Sequence, residues 1–322
     1  MIGDELGLFE KLYKFGPCSS NKFAKKTEMD HRYLREWLLA LSAAGYVSYE
    51  SKTEFFSLSD EQYSVLGDEN SPSLMIGGFE NLVGAVHNYH LIKQNFKTGK
   101  GTEWGSLHPC CLSGSARFFK PAYSIFLINK WLPSIKGAVS TLNKGGSFAD
   151  IGCGFGHSTT MIAEQYPQSS VKGIDPHEQS IHEAQKIAEQ KNLNNLSYEI
   201  ATAESYSGEY DIISFFDCLH DMGDPIAAVS YAKTKLKPGG SLMIIEPYAN
   251  DEVSKNFNII GQMYYAFSTI ACVPASKSQE GGMALGAQAG LKKLKNVLNN
   301  GGFSKIEMTY KTASNMVIEA RV

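Results

Sequence analysis

Phe148-Ala149-Asp150-Ile151-Gly152-Cys153-Gly154-Phe155-Gly156-His157-Ser158 decides the fold. Apolar residues lead into three glycines at alternate positions, and Ser158-Thr159-Thr160 follow. The pattern reads as a buried strand over 147–151, a glycine turn, and a helix over 158–166 capped by Ser158 or Thr159. Glycine lets the backbone turn tightly and approach a ligand with no Cβ in the way, and the helix start offers unpaired N–H groups. Such a loop also serves dinucleotides, so alone it is a weak signal. Two carboxylates narrow the choice. Asp150 at the loop entry would repel a pyrophosphate and suit a cationic amino group. Val171-Lys172-Gly173-Ile174-Asp175 ends a second strand in an acid that can accept hydrogen bonds from both ribose hydroxyls. Ribose plus a cationic amino-acid tail describes S-adenosylmethionine better than a nicotinamide dinucleotide.

Working outward, strands read at 147–151, 170–174, 197–202, 210–216 and 241–246, with helical runs at 158–166, 178–191 and 225–236. This alternation predicts an α/β fold, a parallel sheet with helices on both faces. Two more helices are expected near 253–272 and 286–299. The ending, Phe303-Ser304-Lys305-Ile306 onward and Met316-Val317-Ile318, reads as two strands joined by a turn. Toward the N-terminus, residues 1–70 read as small helices followed by a hairpin. Serines or Asn21 can cap one helix, Asp30 opens the next, and Leu34, Trp37, Leu38 and Leu41 share its apolar face before Gly45 ends it. Tyr46–Glu50 and Glu54–Leu58 are the hairpin strands, which makes a winged-helix pattern. Residues 71–135 read as a helical, aromatic-rich connector, and 136–322 as the ligand-binding domain.

Composition sets the bounds. The chain has 322 residues, a net charge of −3, 43% hydrophobic and 20% charged residues. The balance gives no global attraction to nucleic acid or anionic membrane, and no run approaches the roughly 20 apolar residues of a membrane helix. No secretory signal pattern opens the chain, so a cytoplasmic location is expected. The six cysteines include no Cys-x-x-Cys pair. They read as reduced thiols, and no metal site is expected.

A second segment carries chemistry: Tyr210-Asp211-Ile212-Ile213-Ser214-Phe215-Phe216-Asp217-Cys218-Leu219-His220-Asp221-Met222-Gly223-Asp224-Pro225. A strand ends near Phe216, at the edge where open α/β sheets bind ligands. His220 follows in a loop, before a helix opened by Asp224-Pro225. A histidine can take a proton from a hydroxyl as its oxygen attacks a methyl group. It can equally pack or cap beside the cofactor.

The stretch 148–246 resembles class I S-adenosylmethionine-dependent methyltransferases with a Rossmann-like sheet that ends in an antiparallel hairpin. The resemblance implies that Asp150, Gly152, Gly154 and Gly156 serve the methionine end of the cofactor and Asp175 the ribose. It places Thr202 and Ala203 at the adenine, with Phe216 and Asp217 also beside the cofactor. Thr202 stands where an Asp is usual, and Glu204 is a substitute. The His220-Asp221 pair resembles winged-helix small-molecule O-methyltransferases. That implies His220 as base, with Glu246 and Glu280 orienting it. Each glutamate has a plainer reading too, a strand-end brace and an exposed charge. Phe119, Tyr123, Tyr264 and Tyr265 are candidate walls of the acceptor pocket.

Phe215–Asp224, Ala284–Gly290 and Asn315–Arg321 are also similar to a largely uncharacterised bacterial and animal methyltransferase-domain family. In the O-methyltransferases the N-terminal domain forms a homodimer. Relatives carry more sequence before Ile2, which counts against dimerisation through a leading helix here. The expected partner is a small-molecule acceptor, with no nucleic acid. N- or C-methylation on the same scaffold is an alternative, as is a regulator that binds S-adenosylmethionine without turnover. Against the regulator, the helix from Asp30 to Ala44 carries only Arg32 and Arg35, offset by Asp30 and Glu36.

Overall fold

The computed structural model describes residues 1–322. The chain forms two compact units, Met1–Val83 with Ser113–Pro121, and Gly84–Leu112 with Ala122–Val322. The helices Ile76–Thr98 and Pro109–Phe126 thus each contribute to both. The connector read at 71–135 is shared out between the units and does not form a body of its own. No helix is long and apolar enough to cross a membrane.

In the first unit, local chemistry sets the helix ends. Ser19 accepts from Lys22 N–H and opens Ser20–Thr27. Asp30 accepts from the N–H groups of Arg32 and Tyr33 and opens His31–Ala43. Gly45, at φ +81°, turns the chain away. Ser59 and Gln62 close a reciprocal capping box at Asp60–Leu66. Leu34 and Leu38 are buried with Leu8, Leu12, Phe23, Val47 and Phe56, and Trp37 packs on Phe9. Strands β2 (Ser48–Glu50) and β3 (Phe55–Ser57) pair antiparallel as the expected wing. A two-residue strand not evident in the sequence, β1 (Cys18–Ser19), pairs with β3.

Arg117 ties this unit's distant segments together. Its guanidinium donates to Asp4 at 2.8 Å and Glu80 at 2.9 Å, and also to Glu69. One cation serves three carboxylates.

In the second unit, β4 (Ser147–Ile151), β5 (Ser170–Asp175), β6 (Leu196–Ile200), β7 (Tyr210–Phe216) and β8 (Leu236–Pro247) run parallel. The final hairpin, β9 (Lys305–Lys311) and β10 (Asn315–Arg321), is antiparallel, and β10 pairs with β8. The order is β6-β5-β4-β7-β8-β10-β9. After β4 the chain winds one way to β6. It then returns to lay β7 on the other side of β4. Crossovers diverge at that point, so the loops after β4 and β7 face a common crevice at the carboxyl edge. Phe148, Ile151, Ile213, Phe215, Leu242 and Ile244 are fully buried, as expected for strands covered on both faces.

Four local expectations need correction. The helix after β4 runs His157–Gln165, and neither Ser158 nor Thr159 caps it. Its N-cap is Gly156 in the left-handed region, while Ser158 turns inward to Asp150 and Thr159 donates to the Gly156 carbonyl. Strand β6 stops at Ile200 because Thr202 N–H bonds the Ser205 hydroxyl and folds a turn. The single helix expected at 253–272 is broken. Asn258 caps a new helix, Ile259–Phe267, which passes into a π-helical turn, Ser268–Cys272. The helix expected from 286 begins at Gly290, because residues before it bond back across the unit, Gly286 N–H to the His220 carbonyl and Ala287 N–H to the Ser268 hydroxyl.

Arg117→Ala leaves three carboxylates of the first unit without their cation. The expected loss is about 2–3 kcal/mol, below the figure for a fully buried pair because Glu69 is half-exposed. Thermal denaturation of the variant against wild type measures it.

Candidate active site

The glycine loop is shaped from both sides. A Cβ on Gly156 would lie 2.3 Å from the Tyr198 hydroxyl and 2.9 Å from Ala184 Cβ, and its φ is +71°. Gly154, at φ +52°, would meet nothing within 4 Å, so it borders open space. Phe155 packs beside Trp104 on Leu107, Cys111 and Leu112.

Asp150 is fully buried beneath the loop. It accepts from Ser158 at 2.5 Å and from Ser214 of β7 at 3.4 Å. These two hydroxyls brace the carboxylate beneath the loop and leave it further lone pairs. Asp175 closes β5 and uses both oxygens on backbone N–H groups, Gly154 at 2.9 Å and His177 at 2.8 Å. It thereby holds Gly154, the second glycine of the loop, against the end of β5. Thr202 is exposed and committed to the Ser205 turn, Ala203 is half-buried beside the core, and Glu204 is exposed.

At the end of β7, Asp217 extends the ladder by one bond, its N–H donating to the Ile245 carbonyl at 2.8 Å. It then turns the chain at φ +51°, a conformation aspartate tolerates better than most residues. A short 3-10 turn, Leu219–Asp221, follows and sets His220 over the end of β8. His220 Nδ1 meets Glu246 Oε2 at 2.5 Å, and the His220 backbone N–H donates to Glu246 Oε1. Both side chains are almost wholly buried. Nε2 faces the Cys272 sulfur at 3.3 Å. Burial pulls the imidazole pKa down, but Glu246 and Cys272 more than offset it and hold His220 well above its ordinary value.

Asp217 itself accepts from the Tyr123 hydroxyl at 3.1 Å and from the Asn315 amide at 3.0 Å. Burial, with Glu246 nearby, raises it to about 8. Asp150 and Asp221 are each raised to about 7, chiefly by burial, and Asp175 is raised for the same reason. Four carboxyls along one sheet edge thus share a bias toward the neutral form, which a cationic ligand would relieve.

Of the candidates for acceptor contact, Tyr123 lies against Phe216 with its hydroxyl on Asp217. Tyr264 is buried within the field of Asp217, Glu246 and Cys272, which together with burial raises its pKa. Tyr265 points elsewhere, into an open surface concavity with Phe257, Ile259 and Gln262. Phe119 belongs to the first unit, edge-on to Phe118.

Glu280 does not join His220. Its side chain is exposed and makes no hydrogen bond or ion pair; its backbone carbonyl is what approaches Gly223. The preceding residue does the bracing. Gln279 accepts from Gly223 N–H at 3.0 Å and donates to the Asp221 carbonyl at 3.1 Å, and Ser276 donates to the Met222 carbonyl at 2.7 Å. Gln279, Ser276, Cys272 and Asn315 carry no sequence signal of their own, since each acts on a segment far away in the chain.

Residues 142–302, half of the chain, match a family model described as a methyltransferase domain, and residues 1–67 match a Rv2258c-like winged HTH domain. The chain belongs to this methyltransferase domain family. A ubiquinone biosynthesis O-methyltransferase of Acinetobacter baylyi is 28% identical over 151 residues, covering 45% of this chain and 60% of that relative. Among solved structures, an O-methyltransferase family protein from Burkholderia thailandensis superposes with a TM-score of 0.71 at 14% identity, covering 97% of this chain and 91% of that one. Human N-acetylserotonin methyltransferase, solved with S-adenosylmethionine, gives 0.71 at 14% identity, with 99% and 92% covered. At such identities the likeness establishes the fold, a seven-stranded Rossmann-like sheet following a winged-helix domain.

Asp217→Ala orphans the buried Tyr123 hydroxyl and Asn315 amide, and is expected to cost about 2–4 kcal/mol. Asp217→Asn, a neutral isostere of the protonated acid, is expected to cost less than half of that at pH 7. Chemical denaturation of both variants at one pH gives the comparison.

Proposed function

We propose that this methyltransferase transfers a methyl group from S-adenosylmethionine to a hydroxyl of a small molecule, with His220 as general base held by Glu246. The observation that supports it most is the buried Nδ1 contact with Glu246, which fixes the ring and leaves Nε2 as the atom able to take a proton. The residues present fit the cofactor. Gly154 borders open space that lets backbone come close to a ligand, and Asp175 stands at the adjoining strand end with lone pairs for ribose hydroxyls. The raised carboxyls suit a cation and disfavour a pyrophosphate. S-adenosylmethionine, when bound, supplies an electrophilic methyl on a sulfonium.

The chain's residues then have distinct tasks. Asp150 and Ser158 keep the loop rigid from beneath. Glu246 sets the imidazole tautomer and balances the positive ring once Nε2 has taken the acceptor proton. Tyr123 presents a ring face with its hydroxyl fixed on Asp217, and Tyr264 lies buried in the field of Glu246 and Cys272. The turn Thr202–Ser205, with Ala203 and Glu204, lies beyond β6 on the side left for adenine.

Three outcomes test the reading. His220→Ala should bind S-adenosylhomocysteine within about threefold of wild type by calorimetry yet lose about 100-fold or more of transfer to hydroxyl acceptors, measured with labelled cofactor across hydroxyl, amine and thiol panels. Retention of transfer to a hydroxyl acceptor in that variant refutes the base. Because the base must be unprotonated and His220 is held above its ordinary value, turnover should keep climbing as pH rises past neutrality. Asp150 and Asp221 lose their protons near pH 7, so S-adenosylmethionine should bind several-fold tighter, about 3- to 10-fold, at pH 8 than at pH 6. S-adenosylhomocysteine, which keeps its ammonium and lacks only the sulfonium charge, should gain less.

A further inference from the structure

Both ring nitrogens of His220 have partners, and the second partner is a thiol. Cys272 ends the π-helical turn Ser268–Cys272 and is partly exposed, whereas His220 and Glu246 are buried. Glu246 Oε2, His220 Nδ1, His220 Nε2 and Cys272 Sγ lie in series, at 2.5 Å and 3.3 Å across the two contacts. Carboxylate, imidazole and thiol in that order form the arrangement that activates a sulfur nucleophile: the ring takes the thiol proton and the carboxylate stabilises the resulting cation. A thiol beside an imidazolium, and within reach of solvent, meets both conditions for reactivity.

The other cysteines differ. Cys18 and Cys111 are buried, and burial raises both, Cys111 to about 11. Cys153 and Cys218 are pushed well up by burial and by nearby carboxylates. Cys110 is partly exposed, two residues beyond His108, whose Nδ1 already accepts the Cys110 backbone N–H.

We propose that Cys272 is an activated nucleophilic thiol, and that soft electrophiles, alkyl halides and low-molecular-weight disulfides among them, modify it within the site. With iodoacetamide, the sulfur lone pair forms a C–S bond as the C–I bond breaks. Iodide leaves with the electron pair, and the thiol proton stays on His220 Nε2. With a disulfide, the thiolate displaces one sulfur of the pair, giving a mixed disulfide on Cys272 and releasing one free thiol; an added thiol reverses it. Either adduct occupies the Nε2 side of His220. Resting on the base reading above, this makes modification of Cys272 an off switch for methyl transfer.

The test is the labelling rate of each cysteine by iodoacetamide, followed by peptide mass spectrometry on the full chain. Cys272 should react about tenfold or more faster than Cys110 at pH 7. Across pH 8 to 6 its rate should fall far less than the roughly tenfold per unit of an ordinary thiol. The titratable groups around it are His220, Glu246 on the far ring nitrogen, Asp217 in the field of Glu246, and Tyr264 in the fields of Glu246 and Cys272. In His220→Asn, checked for unchanged S-adenosylhomocysteine binding, the Cys272 rate should drop about tenfold. If that variant does not fold, the wild-type pH profile decides alone. A Cys272 rate equal to that of Cys110, or falling tenfold per unit, overturns the proposal. So does a rate unmoved in a folded His220→Asn. Loss of methyl transfer in His220→Ala alongside an inert Cys272 would retain the base and discard the thiol. A fast Cys272 with transfer unaffected by His220→Ala would do the reverse.

Discussion

The reversal of strand order between β4 and β7 is the constraint from which the site follows. Parallel strands joined by right-handed crossovers leave a crevice only where successive connections part to opposite faces. Here that happens beside β4, between β5 on one side and β7 on the other. The candidate site residues hang from the same edge: the glycine loop after β4, Asp175 at the end of β5, Asp217 and His220 after β7, and Glu246 near the end of β8. Ser214 shows how closely the two sides are joined. It pairs with Asp150 across the β4–β7 ladder and donates to its carboxylate. The loop on one side is thus supported by a strand on the other.

Concentrating acids at that edge costs free energy unless something positive is present. Burial alone moves a carboxyl toward its neutral form, and Asp150, Asp175, Asp217 and Asp221 all show the shift. Glu246 is tied to His220 instead, accepting at one oxygen from the backbone N–H and meeting Nδ1 with the other, and with Cys272 it holds the imidazole well above its ordinary value. Asp217, next to them, is left to hydrogen-bond with neutral Tyr123 and Asn315. The edge therefore holds one buried imidazole–carboxylate contact and a set of acids biased toward the neutral form.

How much of this was legible follows from the range over which each signal acts. The glycine loop, the strand ends at Asp175 and Phe216, and the Asp224-Pro225 helix start are local patterns, and the structure has them at the positions read. The His220–Glu246 contact was also legible, through resemblance, because both residues sit at strand ends whose order the fold dictates. Glu280 was misplaced by one residue's worth of turn: Gln279 reaches the 221–223 backbone, and the next side chain points out. Ser158 looked like a cap because hydroxyls favour helix starts, yet a buried carboxylate beneath it was a stronger partner than an N–H that water can satisfy. Cys272, Asn315 and Tyr123 became neighbours of this edge only through packing across about a hundred residues or, for Cys272, through a break in a helix that apolar periodicity alone would run straight through.

That break has a consequence for chemistry. A straight helix over 253–272 would have fixed its residues in one regular spiral. Instead Asn258 restarts the helix, and the π-helical turn at its end shifts the register by an extra residue per bond, which is a common device for re-aiming side chains at functional sites. Tyr264, before the turn, lies in the field of Glu246, and Cys272, at its end, faces His220 Nε2. On the functions proposed above, His220 is the base toward whatever group stands at Nε2: a bound hydroxyl, which would become the attacking oxygen, or the Cys272 thiol, which would become the attacking sulfur. Glu246 serves both in the same way, since it answers only to the charge on the ring. One buried carboxylate–imidazole pair can therefore support transfer to a bound acceptor and reactivity of the protein's own sulfur, and the two compete for a single nitrogen.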